Sequence, residues 1–366
     1  MIVKTMIAIV AANTTARRAK ANFPVGLAGI RPTDHAGGLT FMVLKNCQLC
    51  PRLCGVNRSA GQVGVCGATD RVRVARAALH AWEEPCISAS VGSGTVFFSY
   101  CPLHCVYCQN HAIAAGDAGI EISVERLAQI YLELADQGAH NINLVTPTHY
   151  VPQIVASLAL ARGAGLTLPV VYNTSGYESV KTLDMLAGVV DVYLSDFKYA
   201  DTTLAARYSS APDYPAVAIS ALDAMVAQVG ECVFEQPALG DGQDDEQPAR
   251  LLRGVIVRHL MLPGCLDDSK AIVALLHKRY GAALRLSLMN QYTPVCPLPA
   301  YPELNARVPA ADYEALLDFA DDLGVQDYYW QEGGAAEESF IPVFNGQGVA
   351  GSELPCLNEV ELVESG

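Results

Sequence analysis

Short apolar runs rich in Val, Ile and Leu recur between residues 95 and 298, with amphipathic stretches between them. The apolar runs are typical of buried strands, and the stretches between them repeat their apolar residues at helical spacing. The predicted strands are 95–100, 141–146, 168–176, 189–198, 254–264 and 283–294. The predicted helices are 123–138, 151–165, 178–188, 269–281 and 311–324. Strands that alternate with helices in this way predict an α/β fold with a parallel sheet and helices outside it.

We expect this sheet to close, or nearly close, into a partial (β/α)6-type TIM barrel over residues 95–298. A cysteine-rich N-terminal element, 41–94, precedes the predicted barrel, and a C-terminal extension, 299–366, follows it. Within the barrel, residues 236–251 are acidic and rich in Gly, Pro and Gln, which predicts an exposed flexible insertion. Residues 1–40 are predicted to form a poorly ordered extension.

The charge balance excludes some classes of partner. The chain has 24 Lys and Arg residues against 38 Asp and Glu residues, a formal net charge of −14. Nucleic acids and anionic membranes are bound through basic residues, so we expect neither as a partner. No apolar run approaches the roughly 20 residues that a membrane-spanning helix needs. These features predict a cytoplasmic protein.

Polar residues lie toward the carboxyl end of each later predicted strand of the barrel, or directly after it. The carboxyl ends of parallel strands meet on one face, so these side chains are expected to gather around a polar ligand. The polar strand-end residues are Thr146, Thr148, Asn173, Thr174, Asp196, Lys198, Arg258, His259, Asn290 and Gln291.

Three cysteines, Cys101, Cys105 and Cys108, lie within the loop that follows the first predicted strand. Clustered thiols in an α/β body are more often metal ligands than disulfides. Three thiolates can hold a [4Fe–4S] cluster and leave one iron with an open position, the arrangement that a catalytic metal needs. Tyr107 offers a flat face on which an aromatic base can stack. Zinc with His104 or His111 as fourth ligand, or unmodified thiols, are the alternatives.

The pattern Cys-x3-Cys-x-aromatic-Cys after a strand resembles the radical SAM superfamily. The longer run GSGTVFFSYCPLHCVYCQN, with EEP before it and VRHLMLPG and EESFIP after it, resembles the branch related to pyruvate formate-lyase-activating enzyme. The resemblance covers residues 45–345 and assigns the three cysteines to a [4Fe–4S] cluster. It implies that reductive cleavage of S-adenosylmethionine yields a 5′-deoxyadenosyl radical, which abstracts hydrogen from a substrate.

The resemblance also implies an electron donor such as flavodoxin or ferredoxin. The substrate of such an enzyme is another protein, activated by hydrogen abstraction from a glycine. Radical chemistry on a small molecule or side chain is one alternative, and a metal-binding scaffold without chemistry is another.

Roles of individual residues follow from the resemblance. The family's Gly-Gly-Glu-Pro strand end, which holds the methionine amine, is here 145–148, where backbone carbonyls or the Thr146 and Thr148 hydroxyls can supply acceptors. This is a departure from the family.

Two further pairs of residues have counterparts in the activating enzymes. Asn173 and Thr174 align with an Asp-Thr pair near the ribose and methionine. Asp196 and Lys198 match Asp-x-Lys, in which Lys meets the S-adenosylmethionine carboxylate. An internal salt bridge between Asp196 and Lys198 is the alternative.

Four more cysteines, Cys47, Cys50, Cys54 and Cys66, open with a CxxC spacing before the barrel. Four thiols among Gly and Arg residues fit a small metal-held knuckle. Structural zinc, a second iron–sulfur cluster and reduced thiols without a metal are the three interpretations.

Overall fold

The structure is a computed structural model that describes residues 42–235, 249–331 and 342–350, together with the backbone of Thr5–Met6. The predictions for the rest of 1–40, for most of 236–251 and for much of the C-terminal extension lie outside the described residues. The strands are β1 Thr5–Met6, β2 Val72–His80, β3 Ser93–Phe98, β4 Ile120–Ile122, β5 Ile142–Val145, β6 Val170–Thr174, β7 Val192–Asp196, β8 Val233–Phe234, β9 Leu251–Leu260, β10 Arg285–Met289 and β11 Tyr329–Trp330.

From β2 onward, α-helices lie between and after these strands. They are α1 Pro85–Ser88, α2 His111–Ala115, α3 Val124–Asp136, α4 Val151–Gly163, α5 Val180–Asp184, α6 Thr202–Ser209, α7 Tyr214–Val229, α8 Leu266–Tyr280 and α9 Ala310–Asp322. Helix α3 begins at the predicted start of 123–138, where the Ser123 side chain caps the helix by accepting a hydrogen bond from Arg126 N. Helices α6 and α7 were not predicted.

The mostly parallel sheet is confirmed. Its strand order is β1-β11-β10-β9-β7-β6-β5-β3-β2-β4, and β3, β5, β6, β7, β9 and β10 pair in parallel with one another along this path. The central strands are almost entirely buried, as expected where helices cover a parallel sheet. All six of these strands were predicted from their apolar runs.

The sheet is open, so the expectation of a closed sheet is wrong, and the partial (β/α)6-type TIM barrel stays a prediction. Strand β2 pairs antiparallel with the outer edge of β3, and β4 extends the sheet beyond β2. This edge of β3 is therefore unable to pair with β10. At the opposite end, β11 and β1 have two residues each. Within the described ranges, no pairing joins the two ends of the sheet.

A short segment between β2 and β3 packs against one face of the central strands. It contains α1, whose Cys86 and Ile87 are buried in a cluster with Val171, Leu194 and Ile256 of β6, β7 and β9. As a result, the residues just before α1, including Glu83 and Glu84, lie near the polar ends of these strands. This segment contributes to the site.

Candidate active site

The three-cysteine loop follows β3 and borders a cavity of about 390 Å³. Cys101, Cys105 and Cys108 all line this cavity. Burial raises the pKa of Cys101 to about 11 and that of Cys108 to about 12, and negative charge on neighbouring thiols adds to both shifts. The two thiols are therefore protonated at neutral pH unless a bound cation holds them as thiolates.

The three thiols of the loop and the hydrogen bonds that they accept are suited to an iron–sulfur cluster. Cys101 Sγ accepts from Leu103 N at 3.4 Å, and Cys105 Sγ accepts from Ser209 Oγ at 3.1 Å. Hydrogen bonds to cluster sulfurs are a known way in which proteins tune iron–sulfur centres. No three His, Cys, Asp or Glu side chains of the described chain are placed to hold a single metal ion. A cubane cluster does not require three side chains around one ion, because each thiolate binds a different iron.

Five charged and polar side chains form one network on the wall of the same cavity. Lys198 Nζ donates to Asp196 Oδ2 at 2.7 Å, and Arg258 Nε donates to Asp196 Oδ1 at 3.1 Å. Arg258 also donates to Glu83 Oε2 at 3.1 Å and to Asn173 Oδ1 at 2.6 Å. Asn173 Nδ2 closes the ring on Glu83 Oε1 at 3.2 Å. All five residues line the cavity.

The Asp196–Lys198 ion pair remains charged despite its burial. Burial alone would lower the pKa of Lys198, but the Asp196 carboxylate is the main opposing cause and raises that pKa. Burial would likewise raise the pKa of Asp196, and the Lys198 and Arg258 cations lower it instead. The salt bridge considered from the sequence is therefore present, and it lies at the edge of the cavity.

Thr148 and Thr174 share one buried partner. Thr148 Oγ1 donates to Glu178 Oε1 at 2.6 Å, Thr174 Oγ1 donates to the same oxygen, and Tyr172 OH donates to Oε2 at 3.3 Å. Burial raises the pKa of Glu178 to about 7. Thr174 lines the cavity, whereas Thr148 is absent from its lining. Both hydroxyls are thus used within the protein, and their roles as ligands stay predictions.

Thr146 lines the cavity at the end of β5 with a left-handed backbone, at a φ of 57°. This conformation is unfavourable for a β-branched residue and is typical of glycine. Its N–H donates to Asn173 O at 2.9 Å, which fixes the turn beside β6. Thr146 therefore holds a backbone conformation that glycine adopts more readily. Contact between Thr146 and a ligand stays a prediction.

Tyr107 lines the cavity but is only 7% exposed. Its ring has edge contacts with Tyr199, Tyr208 and Tyr292, at centroid distances of 6.5, 6.3 and 6.1 Å. Its hydroxyl accepts from Tyr199 OH at 2.8 Å. Tyr107 thus belongs to a tyrosine cluster behind the loop, and stacking on a base stays a prediction.

The four upstream cysteines, Cys47, Cys50, Cys54 and Cys66, are free thiols. Burial raises the pKa of Cys50 to about 12, and charge on Cys66, Cys54 or Cys47 adds to this shift. Metal binding by this group stays a prediction.

Sequence reasoning missed two members of the cavity network and the bonding role of Arg52. Glu83 was noted only within the EEP run and Arg258 only as a polar strand end, although both bond within the cavity. Arg52, between two upstream cysteines, donates to the backbone of the three-cysteine loop. The EEP run before β3 was the sole available signal for Glu83.

The fold and cavity agree with a family comparison. Residues 95–253 match the family described as Radical SAM superfamily. A radical SAM superfamily domain is thus found over these residues, from within β3 to within β9. This match includes the three cysteines, whereas Glu83 and Arg258 lie outside it. The family implies a [4Fe–4S] cluster and S-adenosylmethionine.

Individual proteins resemble the chain to different extents. An uncharacterised protein of Methanocaldococcus jannaschii is 28% identical over 297 residues, which cover 78% of each chain. A radical SAM methyltransferase from Sphaerobacter thermophilus aligns at 15% identity with a TM-score of 0.43, over 66% of this chain and 67% of the other. Streptococcus suis SuiB bound to S-adenosylmethionine aligns at 14% identity with a TM-score of 0.42, over 64% of this chain and 48% of SuiB. The chain thus spans about half the length of SuiB.

No helix in the described part of the chain has the length and apolar character needed to cross a membrane.

Proposed function

We propose that this protein is a radical SAM enzyme in which Cys101, Cys105 and Cys108 hold a [4Fe–4S] cluster and the adjoining cavity binds S-adenosylmethionine. The observation that carries the proposal is that the three thiols and the ion pair of Lys198 line one cavity. When bound, the cluster and S-adenosylmethionine supply one-electron cleavage to methionine and a 5′-deoxyadenosyl radical.

The residues of the chain bind and orient this cosubstrate. Lys198 Nζ has three donors, of which Asp196 accepts one among the described contacts, so donors remain for the methionine carboxylate. Arg258 holds Asp196 from the other side and keeps the carboxylate oriented toward Lys198. The cavity wall is preorganised, because Arg258 bridges Asp196, Glu83 and Asn173 before any ligand arrives.

We further propose that the substrate is another protein and that hydrogen is abstracted from one of its glycines, with the electron delivered by a flavodoxin or ferredoxin. The support for this finer proposal is the resemblance of the sequence runs around β3 and β9 to the activating-enzyme branch. Anaerobic incubation of the reduced enzyme with a candidate protein, followed by electron paramagnetic resonance, tests it. A glycyl radical on the partner supports the proposal, and cleavage of S-adenosylmethionine without any protein radical counts against it.

Anaerobic reconstitution with iron and sulfide tests the radical SAM assignment. The wild type should take up about four irons in this loop and, with dithionite, convert S-adenosylmethionine to methionine and 5′-deoxyadenosine. The triple variant with alanine at 101, 105 and 108 should lose both properties. Cys296→Ala, at an exposed thiol outside the cavity lining, is the matched control and should behave as wild type. Iron binding without cleavage by the wild type would instead favour a metal-binding scaffold.

A further inference from the structure

Arg52 of the cysteine-rich element reaches across to the three-cysteine loop. Its Nε donates to Pro102 O at 3.0 Å, and its Nη2 donates to Leu103 O at 3.2 Å. Nη2 also donates to Ser209 O at 2.8 Å, and Nη1 donates to Ser210 O at 2.5 Å. One guanidinium thus joins the loop between Cys101 and Cys105 to the carboxyl end of α6.

Other contacts hold the same loop from both sides. His104 Nε2 lies 2.8 Å from Val65 O of the upstream element. On the side of α6, Val106 N donates to Tyr208 O at 2.9 Å, and Ser209 Oγ donates to Cys105 Sγ at 3.1 Å. The loop is therefore held between the upstream element and the end of α6. Arg52, which belongs to the upstream element, bonds to the loop and to the end of α6.

The loop needs such external support. Residues 101–108 have no helix or strand, and His104 has an unfavourable φ of 56°. The last carbonyls of α6 lack partners within the helix and carry the negative end of its dipole, which favours a cation there. The planar guanidinium has several donors in a fixed geometry, so it can satisfy carbonyls from two segments at once. A lysine, with one ammonium group, cannot reproduce this arrangement.

We propose that Arg52 is a positioning residue that fixes residues 101–108 in the shape that receives the iron–sulfur cluster. The upstream element thereby serves as a scaffold for the cluster loop. This inference rests on the proposed function, since it concerns the same cluster. Arg52 also lies 5.2 Å from the centre of the Tyr177 ring, so a purely structural contribution must be separated from positioning.

Cluster content and spectrum separate the two roles. We expect Arg52→Met to lower cluster affinity roughly 10- to 100-fold, the range for residues that orient metal ligands, and to change the electron paramagnetic resonance signal of the reduced cluster with and without S-adenosylmethionine. Arg52→Lys should restore the melting temperature more fully than the cluster signal. Arg279→Met, which removes an exposed ion pair with Asp223 and not a contact to the loop, is the control and should keep the wild-type cluster.

A second variant keeps the test valid if Arg52→Met folds poorly. Arg52→Gly leaves a space for the guanidinium ion, and millimolar guanidinium during reconstitution should recover iron content and the wild-type signal. Full iron content and an unchanged signal in Arg52→Met, or no recovery by guanidinium in folded Arg52→Gly, would overturn this inference while the wild type still supports the proposed function. A wild type that binds no iron at residues 101–108 would overturn both.

Discussion

Arg258 and Glu83 lie 175 residues apart in the chain, yet Arg258 Nη1 donates to Glu83 Oε2 at 3.1 Å. This ion pair fastens the segment before α1 to β9. Because Arg258 also bonds Asp196 and Asn173, the pair connects that segment to the wall of the cavity. The same interaction therefore stabilises the fold and orients side chains of the site.

Removal of the Glu83 carboxylate should destabilise the fold. The side chains of Glu83 and Arg258 are 7% and 18% exposed, so solvent replaces the lost bond poorly. Since Asp196 still faces Arg258, we expect Glu83→Ala to lower the free energy of unfolding by roughly 1.5–3 kcal/mol, the range for a hydrogen bond to a charged group. Urea unfolding measures this loss.

The exposed pair of Glu303 and Arg207, with side chains 33% and 45% exposed, provides the control for Glu83→Ala. Glu303→Ala should cost about 0–1 kcal/mol, as exposed ion pairs do. Equal losses of unfolding free energy in the two variants would show that the pair of Glu83 and Arg258 stabilises the fold no more than an exposed ion pair does.

Replacement of Lys198 should affect cofactor binding more than stability. If its ammonium meets the carboxylate of S-adenosylmethionine, Lys198→Ala should weaken binding by roughly 1.5–3 kcal/mol, or about 10- to 150-fold in Kd. The cluster should remain, since lysine is not an iron ligand. Isothermal titration under anaerobic conditions gives the affinity, and thermal unfolding gives the stability.

Asp196→Asn is the matched variant for Lys198→Ala, because it breaks the same 2.7 Å ion pair and leaves the ammonium in place. We expect it to lower the melting temperature while it retains more of the affinity. A lowered melting temperature with unchanged affinity in Lys198→Ala would contradict its role in binding.

The sequence was sufficient for features that depend on neighbouring residues. The six parallel strands were predicted because each carries its own apolar run, and the start of α3 was predicted because a serine cap acts within three residues. The three cysteines were found because their spacing lies within one loop.

Features that depend on distant residues escaped prediction. Strand β2 contains arginines and small residues in place of a continuous apolar run, and its position beside β3 prevents closure of the sheet. Arg52 bonds to backbone carbonyls, which have no signature in the sequence. The pairing of Glu83 with Arg258 depends on the packing of α1, which local patterns do not encode.

Glu178 should make stability depend on pH. Burial raises the pKa of its carboxyl from 4.5 to about 7, so the folded protein keeps this proton where the unfolded chain has lost it. The stabilisation is complete below pH 4.5 and is lost as the pH rises to about 7, which amounts to about 3 kcal/mol. Urea unfolding at several pH values across this range measures the slope.

Glu178→Gln removes the titrating group and should flatten that slope. Burial also raises the pKa of Glu84 to about 7, which gives a loss of the same sign in both proteins. The informative quantity is therefore the difference between wild type and variant across the pH range. Identical pH profiles for the two proteins would show that Glu178 is ionised in the folded state.

The upstream thiols provide the last test. If Cys47, Cys50, Cys54 and Cys66 hold structural zinc, the purified wild type should contain about one zinc per chain, and the triple variant at 101, 105 and 108 should retain it. Cys50→Ser should then lose the zinc and lower the melting temperature, because metal binding contributes directly to folding free energy. Plasma mass spectrometry measures the zinc content, and thermal unfolding measures the melting temperature.

Cys296→Ser, at an exposed thiol outside this group, should leave zinc content and melting temperature unchanged. Iron in place of zinc, lost in Cys50→Ser and retained in the triple variant, would assign a second iron–sulfur cluster to the upstream thiols. A wild type with no metal beyond the iron of residues 101–108 would leave the upstream cysteines as reduced thiols. Cys50→Ser would then affect the cluster loop only through the position of Arg52, two residues along the chain.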